Sequence, residues 1–380
     1  MSPARADRVK PRVLVCSPIP VVRIGSAWHT LDLWARDINA QADIADITLR
    51  CAVVVTTSDA LAPLAPGIAV VTDDDRLADV ISQTDFIQIP GNAGWLTSKP
   101  YLPILRWAKR FDKPVFLGIS SNRARTYTMN ATGKSLSARS KALLQFVDIR
   151  VTQLLLASRC AGVFVVGEGL RKLVWPVARD VHVGVASWVD ADDIAPPRPD
   201  HDRPLRVCMA GRLEPMKGFH LGIEAFSRAG PDRFAALTLI GRGAAQDALQ
   251  EQAERAGLPN FTIRPPVGYP APFFRFLDEQ DVVLMTNLND EQPRLIFDAI
   301  SRGCIPLCPD TPPYRALGLD PRILYEQGSA ASLAERLCSL ADPALRLPLG
   351  RAIAAQATTY TVHTMHRDRL NWMTDVVARR

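Results

Sequence analysis

The chain alternates short apolar runs with longer stretches of helical periodicity. Apolar runs fall at 13–16 (VLVC), 52–55, 68–71, 86–89, 114–118 and 162–166, and again at 205–210, 237–240, 281–285 and 305–308. Runs this short, without polar alternation, fit strands buried on both faces. The segments between them carry apolar residues at helical spacing, with helices expected over 27–40, 219–228 and, near the end, 352–379. Strands alternating with helices predict a doubly wound parallel α/β sheet, and the rhythm occurs twice. Between its two runs lies DADDIAPPRPDHDRP at 190–204, rich in Pro and Asp and without periodicity, which suits an extended linker. The expected division is a first domain at 11–189, a linker at 190–204, a second domain at 205–355 and a terminal helix at 356–380.

Size agrees with this division, because 380 residues exceed the length at which a single core stops growing. With 47% hydrophobic and 22% charged residues the composition is that of a soluble globular protein, and no apolar run is long enough to span a bilayer. The first residues lead straight into strand 13–16 without a signal-peptide core, so a cytoplasmic protein is expected. Seven Cys, scattered singly, read as reduced core residues, and six His lack metal-ligand spacing, so no metal is expected. Asp190-Ala191-Asp192 has the form of an Asp-x-Asp metal motif but precedes a proline run instead of closing a strand. Asp73-Asp74-Asp75 reads as the cap and first turn of a helix reaching Val80.

The net charge of +6 is modest, but residues 99–172 hold fourteen Lys or Arg against three acids, Asp112, Asp148 and Glu168. This basic field is either a solvated face or an attraction for an acidic or membrane-borne acceptor, including peripheral contact with an anionic membrane. Tyr127, Phe146 and Phe164 are not interleaved with the charges in an RNA-binding pattern, which argues against nucleic acid.

Two stretches carry the chemistry. In 287–309, NLNDEQPRLIFDAISRGCIPLCP, a loop follows strand 281–285, Pro293 sits at an expected first helical position, Gly303 stops the helix, and strand 305–308 follows. A helix start at a strand's carboxyl end favours an anion such as phosphate. Asp290 and Asp298 flank it, and carboxylates there can accept hydrogen bonds from sugar hydroxyls. The plainer reading makes Asp298 a solvated helix partner of Arg294 and Arg302. The second stretch, GRLEPMKG at 211–218, follows strand 205–210 and places Arg212 and Lys217 on one loop. A fixed guanidinium and ammonium can steady a leaving diphosphate without a metal. The Gly-Arg-Gly at 241–243 is not a dinucleotide fingerprint, because Gln246 stands at the third glycine position.

Together these stretches resemble the retaining GT-B glycosyltransferases of family four, the glycosyl transferases group 1. The match rests on the Gly-Arg loop with its Lys-Gly, on Glu224-Ala225-Phe226, on two acids with seven residues between them, and on Gly303 and Pro306 in register behind. Both acids are Asp where that family usually has Glu, and Glu291-Gln292-Pro293-Arg294 replaces its small Gly-Phe-Gly loop. The resemblance implies a GT-B fold, two Rossmann-like domains facing a cleft, with the terminal helix crossing back onto the first domain. It implies sugar transfer, with retention of configuration, from a nucleoside-diphosphate-sugar donor to a hydroxyl acceptor, a glycan, polysaccharide or lipid-linked molecule, with no cofactor. In that frame Arg212, Lys217, Asp290 and Glu291 are catalytic. Gly25, Gly211, Gly241, Arg294, Leu295 and Asp298 line the donor, with 260–266 and 267–269 near the base. Ser120, Ser121 and Asn122 stand where the family often offers a histidine to the sugar. Two readings stay open beside it, a nucleotide-sugar epimerase or hydrolase on the same fold and a non-catalytic nucleotide-binding relative.

Overall fold

The computed structural model describes residues 10–54, 60–72, 76–133, 135–289 and 291–380. The first sheet has seven strands in the order Val181–Gly184, Gly162–Val166, Val115–Ile119, Phe86–Pro90, Arg12–Cys16, Asp46–Arg50 and Ala69–Val71, and every pairing is parallel. The first strand lies inside the sheet and the chain winds outward from it first one way and then the other. Both faces are covered, as the unbroken apolar runs require. Val13 and Val15 enter one core with Ile47 and Leu49, while Leu14 and Cys16 enter another with Ile87 and Ile89.

The second sheet repeats the winding with six strands, Phe261–Arg264, Phe234–Ile240, Leu205–Ala210, Val282–Leu284, Ile305–Pro309 and Leu324–Tyr325. One continuous core runs from Leu205 through Leu239 and Ile296 to Tyr325. In each sheet the winding reverses beside the first strand, and loops leaving the carboxyl ends there open a crevice. In the second sheet those loops are the ones that follow Ala210 and Leu284.

Several expected elements differ. The helix read over 27–40 begins as a strand, Ala27–Leu31, paired antiparallel with Val22–Ile24 and Leu61–Pro63, and only then turns into the helix Asp32–Ala42. Run 52–55 contributes a single bridge, Val53 to Val21, with Val55 outside the described residues. The strand beside Arg12–Cys16 is instead Asp46–Arg50, whose polar alternation hid it. Asp73, Asp74 and Asp75 lie outside the described residues, and the helix that follows spans Leu77–Gln83.

The 190–204 segment is irregular but fastened down. Asp190 caps a short turn, Ala191–Asp193, and its own backbone N–H donates to the Asp193 carboxylate at 2.8 Å. Arg198 donates to the carbonyls of Arg302 and Leu277, both at 2.7 Å, in the second domain. The long terminal helix is two helices, Pro343–Ala354 and Val362–Ala378. The first stops at Ala354, a short turn spans Ala357–Tyr360, and the Thr361 hydroxyl accepts from Thr364 N–H at 3.1 Å and caps the new helix. Before that cap Tyr360 belongs to the second core; after it Met373 and Val376 belong to the first. Trp372 donates to Asp180 at 2.7 Å and sets its ring edge-on to Phe116. The chain thus crosses back at Thr361, beside the outward crossing at Val189, whose carbonyl accepts from Val362 N–H at 2.8 Å. No described helix is long and apolar enough to cross a membrane.

Candidate functional site

The loop after Leu205–Ala210 is built by close backbone approach. Gly211 N–H donates to the Ile240 carbonyl at 2.9 Å and Leu213 N–H to Arg242 at 3.1 Å, while the buried Leu213 side chain anchors the loop. A Cβ at Gly241 would lie 2.0 Å from the Gly211 carbonyl oxygen, so only glycine lets the two loops meet. The chain then makes a tight turn, Pro215–Lys217, and Gly218 in the left-handed region (φ +64°) starts the helix Phe219–Ala229. Two hydrogen bonds seat the turn on the end of the Val282–Leu284 strand. Thr286 Oγ1 donates to the Lys217 carbonyl at 2.8 Å, and Leu288 N–H to the Met216 carbonyl at 2.9 Å.

Lys217 is therefore held at the point where the winding reverses. Half-buried, it lies among the charges of Glu291, Arg212, Glu214 and Arg294, and burial holds its ammonium below the usual lysine range. Arg212 is 70% exposed and rests on Glu214 at 2.9 Å. The two cations share one mouth, Lys217 half-buried and Arg212 exposed.

The facing loop is organised by Asn287, which sequence reading did not single out. Buried, it donates to the carbonyls of Asn289 (3.1 Å) and Glu291 (3.2 Å) and accepts from the Tyr314 hydroxyl at 2.7 Å. Asp290 lies outside the described residues. Glu291 Oε1 accepts from the backbone N–H of Asn122 at 2.8 Å, joining this loop to the first domain. Asn122 also caps the helix Arg123–Asn130, accepting from Arg125 N–H at 3.2 Å. Ser120 and Ser121 are held by Asn92, whose side-chain oxygen accepts from both backbone N–H groups, at 3.1 and 3.4 Å.

The following helix, Leu295–Ser301, starts two residues beyond Pro293. Leu295 packs on the second core. Asp298 is 7% exposed, not a solvated partner, and Arg302 turns away to Asp278 at 2.8 Å. The Tyr269 hydroxyl donates to Asp298 at 3.1 Å. Arg294, one turn earlier, stacks its guanidinium 3.1 Å above the Trp188 ring centre and leaves Nη1 buried without a hydrogen-bond partner. Burial pushes the Asp298 carboxyl up to about 7 despite the opposing pull of Tyr269 and Arg294. The same burial brings Arg294 down to about 10. Asp298 also feels Arg36 of the first domain, which pairs with Asp193.

Arg212, Lys217, Glu291, Arg294 and Asn122 are thus gathered at one mouth, with Asp298 behind Arg294. Gly25 stands apart, at the tip of the hairpin between Val22–Ile24 and Ala27–Leu31, with open space around it. Tyr269 was placed near the base only through the resemblance, and Trp188, which precedes the outward crossing, carried no local signal.

Two doubly wound sheets with a terminal helix crossing back, and a charged mouth at the second sheet's reversal point, define the GT-B glycosyltransferase architecture. Residues 191–350 match the family described as Glycosyl transferases group 1, and the chain is a glycosyltransferase. Solved structures agree in fold. HepE of Anabaena, in complex with UDP, is 15% identical with a TM-score of 0.65, covering 97% of this chain and 100% of its own. Sucrose-phosphate synthase from Thermosynechococcus elongatus is 11% identical with a TM-score of 0.65, over 98% and 100%. A glycosyltransferase from Rickettsia africae is 11% identical with a TM-score of 0.61, over 97% and 99%. No curated protein matches the chain in direct comparison.

Proposed function

We propose that the chain moves a glycosyl group from a nucleoside-diphosphate sugar to a hydroxyl acceptor. The observation that carries this reading is the seating of the Met216 and Lys217 carbonyls on Leu288 and Thr286, which holds the Lys217 backbone where the second sheet reverses, with its ammonium among the charges of Glu291 and Arg212. As the glycosidic bond breaks, the departing diphosphate gains negative charge. Lys217 meets it in place, and Arg212 leaves Glu214 to bind it, so the pair does the work of a divalent ion. HepE has been solved with UDP and with UDP-glucose, which favours a donor of that class here.

The rest of the mouth follows from its chemistry. Asp298, with Tyr269 and Trp188, receives the ribose hydroxyls, and Arg294 and Leu295 line that side. Gly211 and Gly241 keep the backbone low enough for the diphosphate to approach. Glu291 or Asp290 orients the donor sugar. A donor hydroxyl competes with Asn122 N–H for Glu291, so sugar binding loosens the interdomain contact. Ser120, Ser121 and Asn122 face the transferred sugar and the acceptor. A leaving phosphate oxygen takes the acceptor proton on the same face of the sugar, which gives retention without a dedicated protein base. The acceptor is a glycan, polysaccharide or lipid-linked molecule at the cytoplasmic side of the membrane.

Radiolabelled donor turnover tests this. Lys217→Met and Arg212→Met each lower kcat by about 100-fold or more with unchanged circular dichroism. Unchanged turnover in both variants refutes the assignment. Sugar released to water at equal rate with and without acceptor would mark a hydrolase, and an epimerised donor an epimerase.

A further inference from the structure

The longest helix, Leu136–Ala157, buries only one side. Ala142, Ile149, Gln153 and Leu156 face the domain. On the opposite side Leu143, Leu144, Val147, Val151 and Leu155 are all exposed, Leu144 by 72%. At 100° per residue these five fall within about a third of the circumference. With Leu136, 79% exposed at the first turn, they make a stripe about 28 Å long. A short helical turn, Trp95–Ser98, widens it. Asp148 accepts the Trp95 backbone N–H at 3.1 Å and holds that turn against the helix, presenting Trp95 and the 83% exposed Leu96 beside the stripe. Arg139 and Lys141, both exposed, lie on its two flanks.

We infer that this face is a membrane-docking surface that inserts its leucines, valines and Trp95 into the headgroup boundary of an anionic bilayer. An apolar helical stripe edged by basic residues, with a tryptophan beside it, is the chemistry of a helix lying in the interface plane. The surrounding basic field draws the domain toward anionic lipid. A second copy of this chain fits less well, because an isologous contact would set the Arg139 and Lys141 flanks of the two copies against like charge.

The stripe also lies next to the proposed mouth. Its helix packs on Arg123–Asn130, which touches the Pro215–Lys217 turn and whose cap, Asn122, is bonded to Glu291. A protein lying on the bilayer by this face holds its mouth at the headgroup level, where a lipid-borne hydroxyl can enter. This part rests on the glycosyl-transfer reading, and it narrows the acceptor to a lipid-linked one.

The test is sedimentation of the full chain with phosphatidylcholine vesicles, with and without phosphatidylglycerol, beside UDP binding by calorimetry. Wild type partitions onto the anionic vesicles. Leu144→Glu and Val147→Glu each reduce partition by about 10-fold or more. Arg139→Gln with Lys141→Gln reduces it about 5-fold per charge on anionic vesicles only. UDP binding stays unchanged in all three variants. Because the substituted side chains are exposed, Val151→Gln serves as a second probe if a glutamate variant fails to fold. No partition of wild type onto either vesicle overturns the proposal. So does a concentration-dependent dimer that Leu144→Glu dissolves without vesicle binding. Loss of UDP binding with intact partition would instead fault the transfer reading and leave the docking surface standing.

Discussion

Gly218→Ala isolates the contact that positions Lys217. At Gly218 the backbone has φ +64°, and an added Cβ would sit 2.1 Å from the Thr286 carbonyl oxygen and 3.3 Å from the Leu288 side chain. Relieving the first overlap moves the turn by roughly 1 Å, since carbon–oxygen contacts below about 3 Å are not tolerated. The left-handed backbone costs alanine about 1–2 kcal/mol. The two seating hydrogen bonds, Thr286 to Lys217 and Leu288 to Met216, contribute about 0.5–1.5 kcal/mol each. The sum is about 2–5 kcal/mol. Gly257, at φ +61° with nothing within 4 Å, supplies the control, because alanine there meets only the backbone term. Urea unfolding therefore places Gly257→Ala about 1–2 kcal/mol below wild type and Gly218→Ala about 2–5 kcal/mol below. A shift of 1 Å in Lys217 lowers donor turnover by about 100-fold in Gly218→Ala and leaves Gly257→Ala unaffected. Equal stability and equal turnover in the two variants would refute the seating argument.

Other consequences are independent of that loop. The Asp298 carboxyl is pushed up to about 7, above its unfolded value near 4. The protonated form is therefore the one folding favours. Its stabilisation is full below pH 4 and is lost as pH rises through 7, on the order of 4 kcal/mol in all. Asp298→Asn flattens this term, so the variant gains on wild type between pH 5 and pH 8 in urea unfolding, and a constant difference would contradict the burial argument. Trp372→Ala removes the bond to Asp180 and the edge contact with Phe116. It destabilises the chain by about 3 kcal/mol, measured by thermal unfolding; a change within about 0.5 kcal/mol would mean the crossing helix is not anchored there.

The second domain was legible because its signals are local. The strand Leu205–Ala210, the glycines of the 211–218 loop and the amphipathic helix Phe219–Ala229 each follow from short-range pattern. The first domain was read in its rhythm but not in detail. Ala27–Leu31 has no strand alternation of its own and becomes a strand by pairing with Leu61–Pro63, well separated in sequence. Asp46–Arg50 is polar at alternate positions and was passed over. At the carboxyl end, apolar periodicity runs through Thr361, but the first helix stops at Ala354, a short turn spans Ala357–Tyr360, and Thr361 caps the next helix.

At the site the same distinction holds. Arg212 and Lys217 stand out through the resemblance of their Gly-Arg and Lys-Gly loop, for which charge supplies the reason, and the structure brings them near Glu291. The burial of Asp298 could not be read, because it depends on Tyr269 from another loop and on Arg294 lying over Trp188. Asn287 and Asn92 were missed for a related reason. Loop amides are common, and only the carbonyls and N–H groups they meet reveal that they hold the mouth together.

The most direct measurement is calorimetric titration of wild type and Lys217→Met with UDP, GDP and ADP in turn, in EDTA. The account predicts saturable, metal-free binding of at least one nucleotide by wild type and a loss of about 10-fold or more in the variant, equal to about 1.4 kcal/mol. Equal affinity in the two proteins, or binding only after a divalent ion is restored, would contradict it.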